Sequence, residues 1–177
     1  MISDTRFISI FSDASFCHDT GAAGWGCWIG YREGYGITDG GPLTGAVDAA
    51  HAELMAMKCA VLRAAADPDV SLNENNVMLF LQSDNLQVLS ALRCALRCSD
   101  KPYRDRHCGA IVPIMSVLPA VWVVHLNIIA EALRGVRVVT RHVKGHSGRP
   151  EGRYRVNVRC DRIAKHHMHA QRALIQS

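Results

Sequence analysis

The sequence lacks the features that would tie it to an oxidising compartment. Its seven cysteines are an odd number, and none stands in a Cys-x-x-Cys pair. That fits a reducing environment better than a disulfide scaffold. The opening Met1-Ile2-Ser3-Asp4 has none of the basic-then-apolar layout of a secretory signal, so a cytoplasmic location is expected. Charged residues are sparse at 20% while hydrophobic ones reach 49%, a balance that excludes intrinsic disorder. Fourteen glycines and six prolines are ordinary numbers, which removes the collagen and low-complexity classes. Neither an internal repeat nor a dividing linker is visible. The 177 residues therefore read as one domain spanning 1–177, long enough to bury a sizeable core.

Long apolar runs are also scarce. The one exception, Ile111 to Ala130, is twenty residues without a charge, the length of a bilayer span. Pro113, Pro119, His125 and Asn127 interrupt it, and polar groups inside hydrocarbon are costly. It reads as a buried core helix, and no membrane association is expected.

What the chain does have is a strong charge asymmetry. Residues 1–100 carry a net charge of −6, residues 101–131 of +1 and residues 132–177 of +9, with five of the nine histidines in the last piece. A basic tail on an acidic body suggests a polyanionic partner, because Lys and Arg on phosphates release condensed counterions. A solvated basic helix would look the same.

Phe7 to Asp13 alternates apolar and small polar residues and reads as a strand ending in an acid. Ala22 to Tyr31 and Tyr35-Gly36-Ile37 complete an antiparallel meander, ended by Pro42. Val47 to Ala66 switches to helical spacing, with Leu54, Met57, Val61 and Leu62 recurring, until Asp67-Pro68 stops it. The continuous apolar run Val77 to Leu81 suits a strand buried on both faces and again leads to an acid, Asp84. Asn85 to Arg97 reads as a second helix and Val136 to His142 as a strand. Lys144 to Arg155 reads as a Gly-rich loop and Val156 to about Ile175 as a basic final helix. The order β-β-β-α-β-α-α-β-α predicts an α/β domain with helices on the faces of a mixed sheet.

Two strands thus lead to acids, Asp13 and Asp84. Glu53 lies one to two turns into the first helix and Asp161 near the start of the last. If the strands are neighbours, two carboxylates stand side by side and the helices add the others. Such acids raise one another's pKa unless cations intervene, and Mg²⁺ prefers oxygen ligands of this kind. A pair of metals there would suit in-line phosphoryl displacement. Strand-end and first-turn acids are also common as helix caps and solvated charges.

The chain resembles ribonuclease H of type 1. The likeness rests on Ile8-Ser9-Ile10-Phe11-Ser12-Asp13-Ala14-Ser15 with Gly24-Trp25-Gly26, on Ala52-Glu53-Leu54, and on Gln82-Ser83-Asp84-Asn85. It continues in His142-Val143-Lys144-Gly145-His146-Ser147-Gly148 and Asn157-x-x-Cys160-Asp161-Arg162-Ile163-Ala164. These segments cover nearly the whole chain in order, and the last two are the most specific. The resemblance implies an RNase H-like five-stranded mixed sheet, with three antiparallel strands and then two parallel ones, flanked by helices. It implies an endoribonuclease that hydrolyses the RNA strand of RNA–DNA hybrids with two Mg²⁺ ions, leaving 5′-phosphate and 3′-hydroxyl ends, with Mn²⁺ able to substitute. Asp13, Glu53, Asp84 and Asp161 match the metal-binding carboxylates. His146 matches a loop histidine that assists proton transfer or product release, a task that suits a near-neutral imidazole. Ser15, Asn85, Lys144, Arg149, Arg153 and Arg155 are the candidate nucleic-acid contacts. A monomer with no obligate protein partner is expected. Two other readings compete: the same site acting on duplex or structured RNA, and a non-catalytic nucleic-acid-binding module of this fold.

There are departures from the family pattern. Where cellular members often carry Thr-Asn-Asn to hold a DNA phosphate and sense 2′-hydroxyls, this chain has Asp48, Ala49 and Ala50, and Asp19 stands for the usual first-loop Asn. An acid repels phosphate and alanine makes no side-chain hydrogen bond, so weaker hybrid preference is expected. Lys101, Arg104, Arg106 and His107 form only a short basic connector. Cys94, Cys98, His107 and Cys108 could hold zinc, although their spacing matches no familiar module and free thiols fit better. Trp25 and Trp28 read as sheet packing.

Overall fold

Alternation along the first strand decides which side of the sheet each element covers. The computed structural model describes residues 5–33, 35–72, 76–97, 118–143 and 152–177. Its elements are β1 (Arg6–Phe16), β2 (Ala23–Arg32), β3 (Tyr35–Leu43), α1 (Ala49–Ala66), β4 (Val77–Ser83), α2 (Leu86–Arg97), α3 (Ala120–Ala132), β5 (Arg137–His142) and α4 (Gly152–Gln176). The five strands form one mixed sheet in the order β3-β2-β1-β4-β5. β1, β2 and β3 pair antiparallel, whereas β4 lies parallel to β1 and β5 parallel to β4. The order and the sheet are those the sequence predicts.

Successive side chains of a strand point to opposite faces. On one face Ile8 and Ile10 of β1 and Leu79 and Leu81 of β4 meet Leu54, Met57 and Val61 of α1, Leu89 and Leu92 of α2, and Trp122, Leu126 and Ile129 of α3. These side chains form the main core, each worth about 1.5–3 kcal/mol on burial. On the other face Phe11 packs with Val143 and with Cys160 of α4. The helix α4 seats itself there on a track of glycines. A Cβ at Gly24 would overlap the carbonyl oxygen of Ala164, one at Gly26 that of Cys160, and one at Gly40 the side chain of Ile163.

Four boundaries differ from the sequence reading. β1 does not end at Asp13: its parallel pairing with β4 stops at Phe11, but its antiparallel pairing with β2 continues to Phe16. β3 runs through Pro42 to Leu43. It is an edge strand, where the missing N–H of an exposed proline costs no ladder bond. α1 starts at Ala49, because Asp48 caps it by accepting from the His51 N–H at 2.7 Å. α4 starts at Gly152, so Arg153 and Arg155 stand exposed on its first turn instead of in a loop, and Asp161 lies two turns further in. The described part of the apolar run Ile111 to Ala130 is helical from Ala120, in α3. Among the described residues no helix is long and apolar enough to cross a membrane. Trp25 and Trp28 do serve packing: Trp25 lies against the main core, and the ring of Trp28 rests edge-on to Phe11.

Candidate metal centre

Asp13 sits where β1 parts from β4 while still paired with β2, opposite Gly26. Asp84 follows the last residue of β4, with Asn85 between it and α2. A notch opens where β1 and β4 separate, and Glu53 enters it from the second turn of α1. One ligand oxygen from each of Asp13, Glu53 and Asp84 lies within 4.8 Å of the others. The Ala14 N–H donates to Glu53 Oε1 at 3.3 Å. Glu53 Oε2 is shielded from solvent and has no hydrogen-bond partner. An unpartnered buried carboxylate oxygen is expensive, and a cation in the notch would satisfy it.

The electrostatics agree. Burial first, and then the charges of Asp84 and Asp161, push Asp13 up to about 7. Burial, with Asp13 and Asp84 beside it, holds Glu53 well above the usual carboxylate range. Without cations this set cannot ionise fully at neutral pH. Oxygen-only donors of this charge density match hard divalent ions such as Mg²⁺, so the residues present fit the metal that the sequence implied.

The structure brings three of the four predicted carboxylates into one cluster and sets the fourth at its edge. Asp161 reaches the notch from α4, near enough for its charge to act on Asp13, and Lys165 Nζ donates to its Oδ2 at 2.9 Å. Asn85 caps α2, its Oδ1 accepting from the N–H groups of Gln87 and Val88 at 3.0 and 3.1 Å. Ser15 lies two residues beyond Asp13 on β1, paired with Gly24. His146, Lys144 and Arg149 lie outside the described residues, as do Cys98, Lys101, Arg104, Arg106, His107 and Cys108.

Sequence reasoning missed two neighbours of this centre. Lys165 stands one helical turn after Asp161, a spacing that signals an ion pair once the helix is placed. The exposed His142 lies opposite Ser83 in the β4–β5 register, with Nε2 3.1 Å from the Asp84 carbonyl oxygen. Only the strand pairing reveals that proximity.

Comparison with known proteins follows the same lines. A family model described as RNase H matches residues 5–169. The fold is similar to RNase H1 from the halophilic archaeon Halobacterium salinarum NRC-1, with a TM-score of 0.60 at 17% identity over 93% of this chain and 98% of that one. It is similar to the PFV RNase H domain, with a TM-score of 0.61 at 17% identity over 94% and 95%. It is also similar to LC11-RNase H1, isolated from compost by a metagenomic approach and solved in complex with an RNA/DNA hybrid. That match has a TM-score of 0.56 at 17% identity over 92% and 97%. No curated protein sequence matches significantly.

Proposed function

The chain belongs to the RNase H family, and on that premise we propose that it is a metal-dependent endoribonuclease cutting the RNA strand of RNA–DNA hybrids. The products are 5′-phosphate and 3′-hydroxyl ends. The observation that carries this reading is the notch itself: three carboxylates from three elements within 4.8 Å, one of them with a buried, unpartnered oxygen. LC11-RNase H1, of the same fold, was solved holding a hybrid, which supports that substrate class. We read residues 1–177 as one catalytic domain, working as a monomer in the cytoplasm without an obligate protein partner.

Asp13, Glu53, Asp84 and Asp161 would hold two divalent ions, Mg²⁺ or in its place Mn²⁺. Such ions supply activation of a water and neutralisation of charge on the leaving oxygen. The protein's own part is to hold the acids still. The Ala14 N–H fixes Glu53, the strand ladder fixes Asp13, and Lys165 restrains Asp161. Asp13 and Glu53 would have to lose their protons to hold cations, so metal binding would strengthen as pH rises. His146 then serves as the proton carrier for the leaving 3′-oxygen. Lys144, Arg149, Arg153 and Arg155 contact backbone phosphates, and Ser15 and Asn85 lie close enough to the notch to meet the strand being cut.

A second substrate, duplex RNA, is favoured by one observation. Asp48 uses its carboxylate to cap α1, and the alanines at 49 and 50 offer no side-chain donors to a DNA phosphate. One panel tests both readings: matched hybrid, duplex RNA, duplex DNA and single strands, each with Mg²⁺ or Mn²⁺ and with chelator. Cleavage of hybrid that stops in chelator is the expected result. No cleavage of any RNA-containing substrate would sink the nuclease reading and leave the binding module.

A further inference from the structure

The helix α4 covers only the half of its sheet face nearest the acids. On that face, Asp13, Gly26 and Gly40 form the row under the helix. The pairings Ser9↔Gly30 and Ser9↔Phe80, and then Phe7↔Met78 and Met78↔Arg137, define the rows beyond it. Among the described residues no helix packs on these outer rows. Phe7 is 59% exposed and stacks on Phe80, with centroids 6.0 Å apart and planes 25° apart. The Arg141 guanidinium lies over the Phe80 ring, 3.7 Å from its centroid. Beside Phe7 a cavity of about 370 Å³ opens, lined by Phe7, Ser9, Trp28, Gly30, Arg32 and Glu33. The Trp28 ring lies flush against Gly30 and Gly36, since a Cβ at either would collide with it.

We propose that this open sheet face is a stacking platform for an unpaired stretch of nucleic acid, with one base seated against Phe7 and Trp28. Aromatic faces on a sheet, with cations at the rim, are what single-stranded bases and phosphates require. Among the described residues the rim carries Arg32, Arg137 and Arg141 on this face, against the single acid Glu33. That charge balance opposes an uncharged apolar partner and suits a polyanion. A duplex offers no base faces, since its own are stacked and paired, so the occupant is a single strand. Phe7 stands six residues from Asp13 along β1, about 20 Å at strand rise. This separates the platform from the metal notch and lets a strand leaving the notch reach it. The proposal goes beyond the nuclease reading and does not require cleavage.

The test is a binding curve in chelator, with a fluorescently labelled twelve-residue oligo-dT or oligo-U followed by anisotropy. Phe7→Ala and Arg32→Ala change exposed side chains, so both should keep the wild-type thermal transition. A threefold or greater loss of affinity in each variant is expected, with cleavage of a blunt hybrid in Mg²⁺ unchanged. Oligonucleotide should also quench tryptophan fluorescence, and the quench should be lost in Trp28→Phe. A smaller loss of affinity in either variant overturns the proposal. So does sedimentation showing a wild-type dimer that Phe7→Ala converts to monomer, for the face would then join two copies of the chain. If wild-type protein fails to cut blunt hybrid, the nuclease reading falls, while this one still stands or falls on the binding curve.

Discussion

Asp13 bears the cost of the notch most directly. Its carboxyl, pushed up to about 7, is neutral in the metal-free fold over a range where the unfolded chain has already ionised. For an acid with a raised folded pKa, the stability it contributes is full below about pH 4 and is lost as pH rises through 7. The loss is at most ~4 kcal/mol above that range, and less once water relaxes around the site. Asp13→Asn should therefore raise the thermal midpoint in chelator at pH 8 and change it little at pH 4. Mg²⁺ should raise the midpoint of the wild type but not of the variant. Hybrid cleavage by Asp13→Asn should fall at least ~100-fold. A variant that keeps full activity, or whose midpoint in chelator drops at pH 8, would remove Asp13 from the metal centre.

Asp13, Glu53 and Asp84 were legible one by one because each stands in or beside an apolar element; Asp161, in a basic helix, was legible only through the family motif. Spacing alone left their convergence open, since it depends on β1 and β4 being neighbours; the family resemblance implied it. Lys165 and His142 were overlooked for the same reason: each matters through a partner that only the folded chain supplies. Asp48 shows the opposite case. In sequence it is a departure from a binding motif, whereas in the structure it is a helix cap.

At the level of elements, the placement of α4 rests on what Gly24, Gly26 and Gly40 lack. Gly26→Ala puts a methyl group into the Cys160 carbonyl, so the helix must shift or the strand must bend. A loss of roughly 1–3 kcal/mol is expected, together with reduced kcat, because Asp161 rides on that helix. Normal stability with normal cleavage would mean that α4 docks with more slack than its seat allows. The glycines were visible in the sequence as a Gly-rich strand, but a glycine's reason lies in whatever approaches it. Pro42 was misread in a similar way, since only the strand order shows that β3 is an edge. At the start of α1, Asp48→Thr with Ala49→Asn and Ala50→Asn keeps a capping side chain while adding donors. Discrimination of hybrid over duplex RNA should rise about tenfold, as one charge-assisted hydrogen bond is worth ~1.5–3 kcal/mol. An unchanged ratio would place specificity elsewhere.

Over the whole molecule, the acidic body and the basic final third divide the labour. The acids cluster where β1 and β4 separate, whereas exposed arginines on α4 face the solvent. Replacing Arg149, Arg153 and Arg155 together by Ala should weaken hybrid binding and flatten its dependence on salt, the slope falling by about 0.9 for each phosphate left without its arginine. The rate at saturating substrate should hold. An unchanged salt slope would make these arginines ordinary surface charge. The charge split was legible from the sequence alone, because counting needs no fold; which face carries it was not.

The glycine seat also sets a clock. Asp13, Glu53 and Asp84 are all made early, but Asp161 comes roughly 77 residues later, on a helix that can dock only where β2 and β3 already lie side by side. At ~5–20 residues per second, those residues take about 4–15 s to emerge during synthesis. Through that interval the newborn chain can shape a sheet beside the very messenger that encodes it, yet holds an incomplete set of acids. The last helix thus works as a delay, because the fourth acid joins the other three only once α4 has been made and has docked on its glycines.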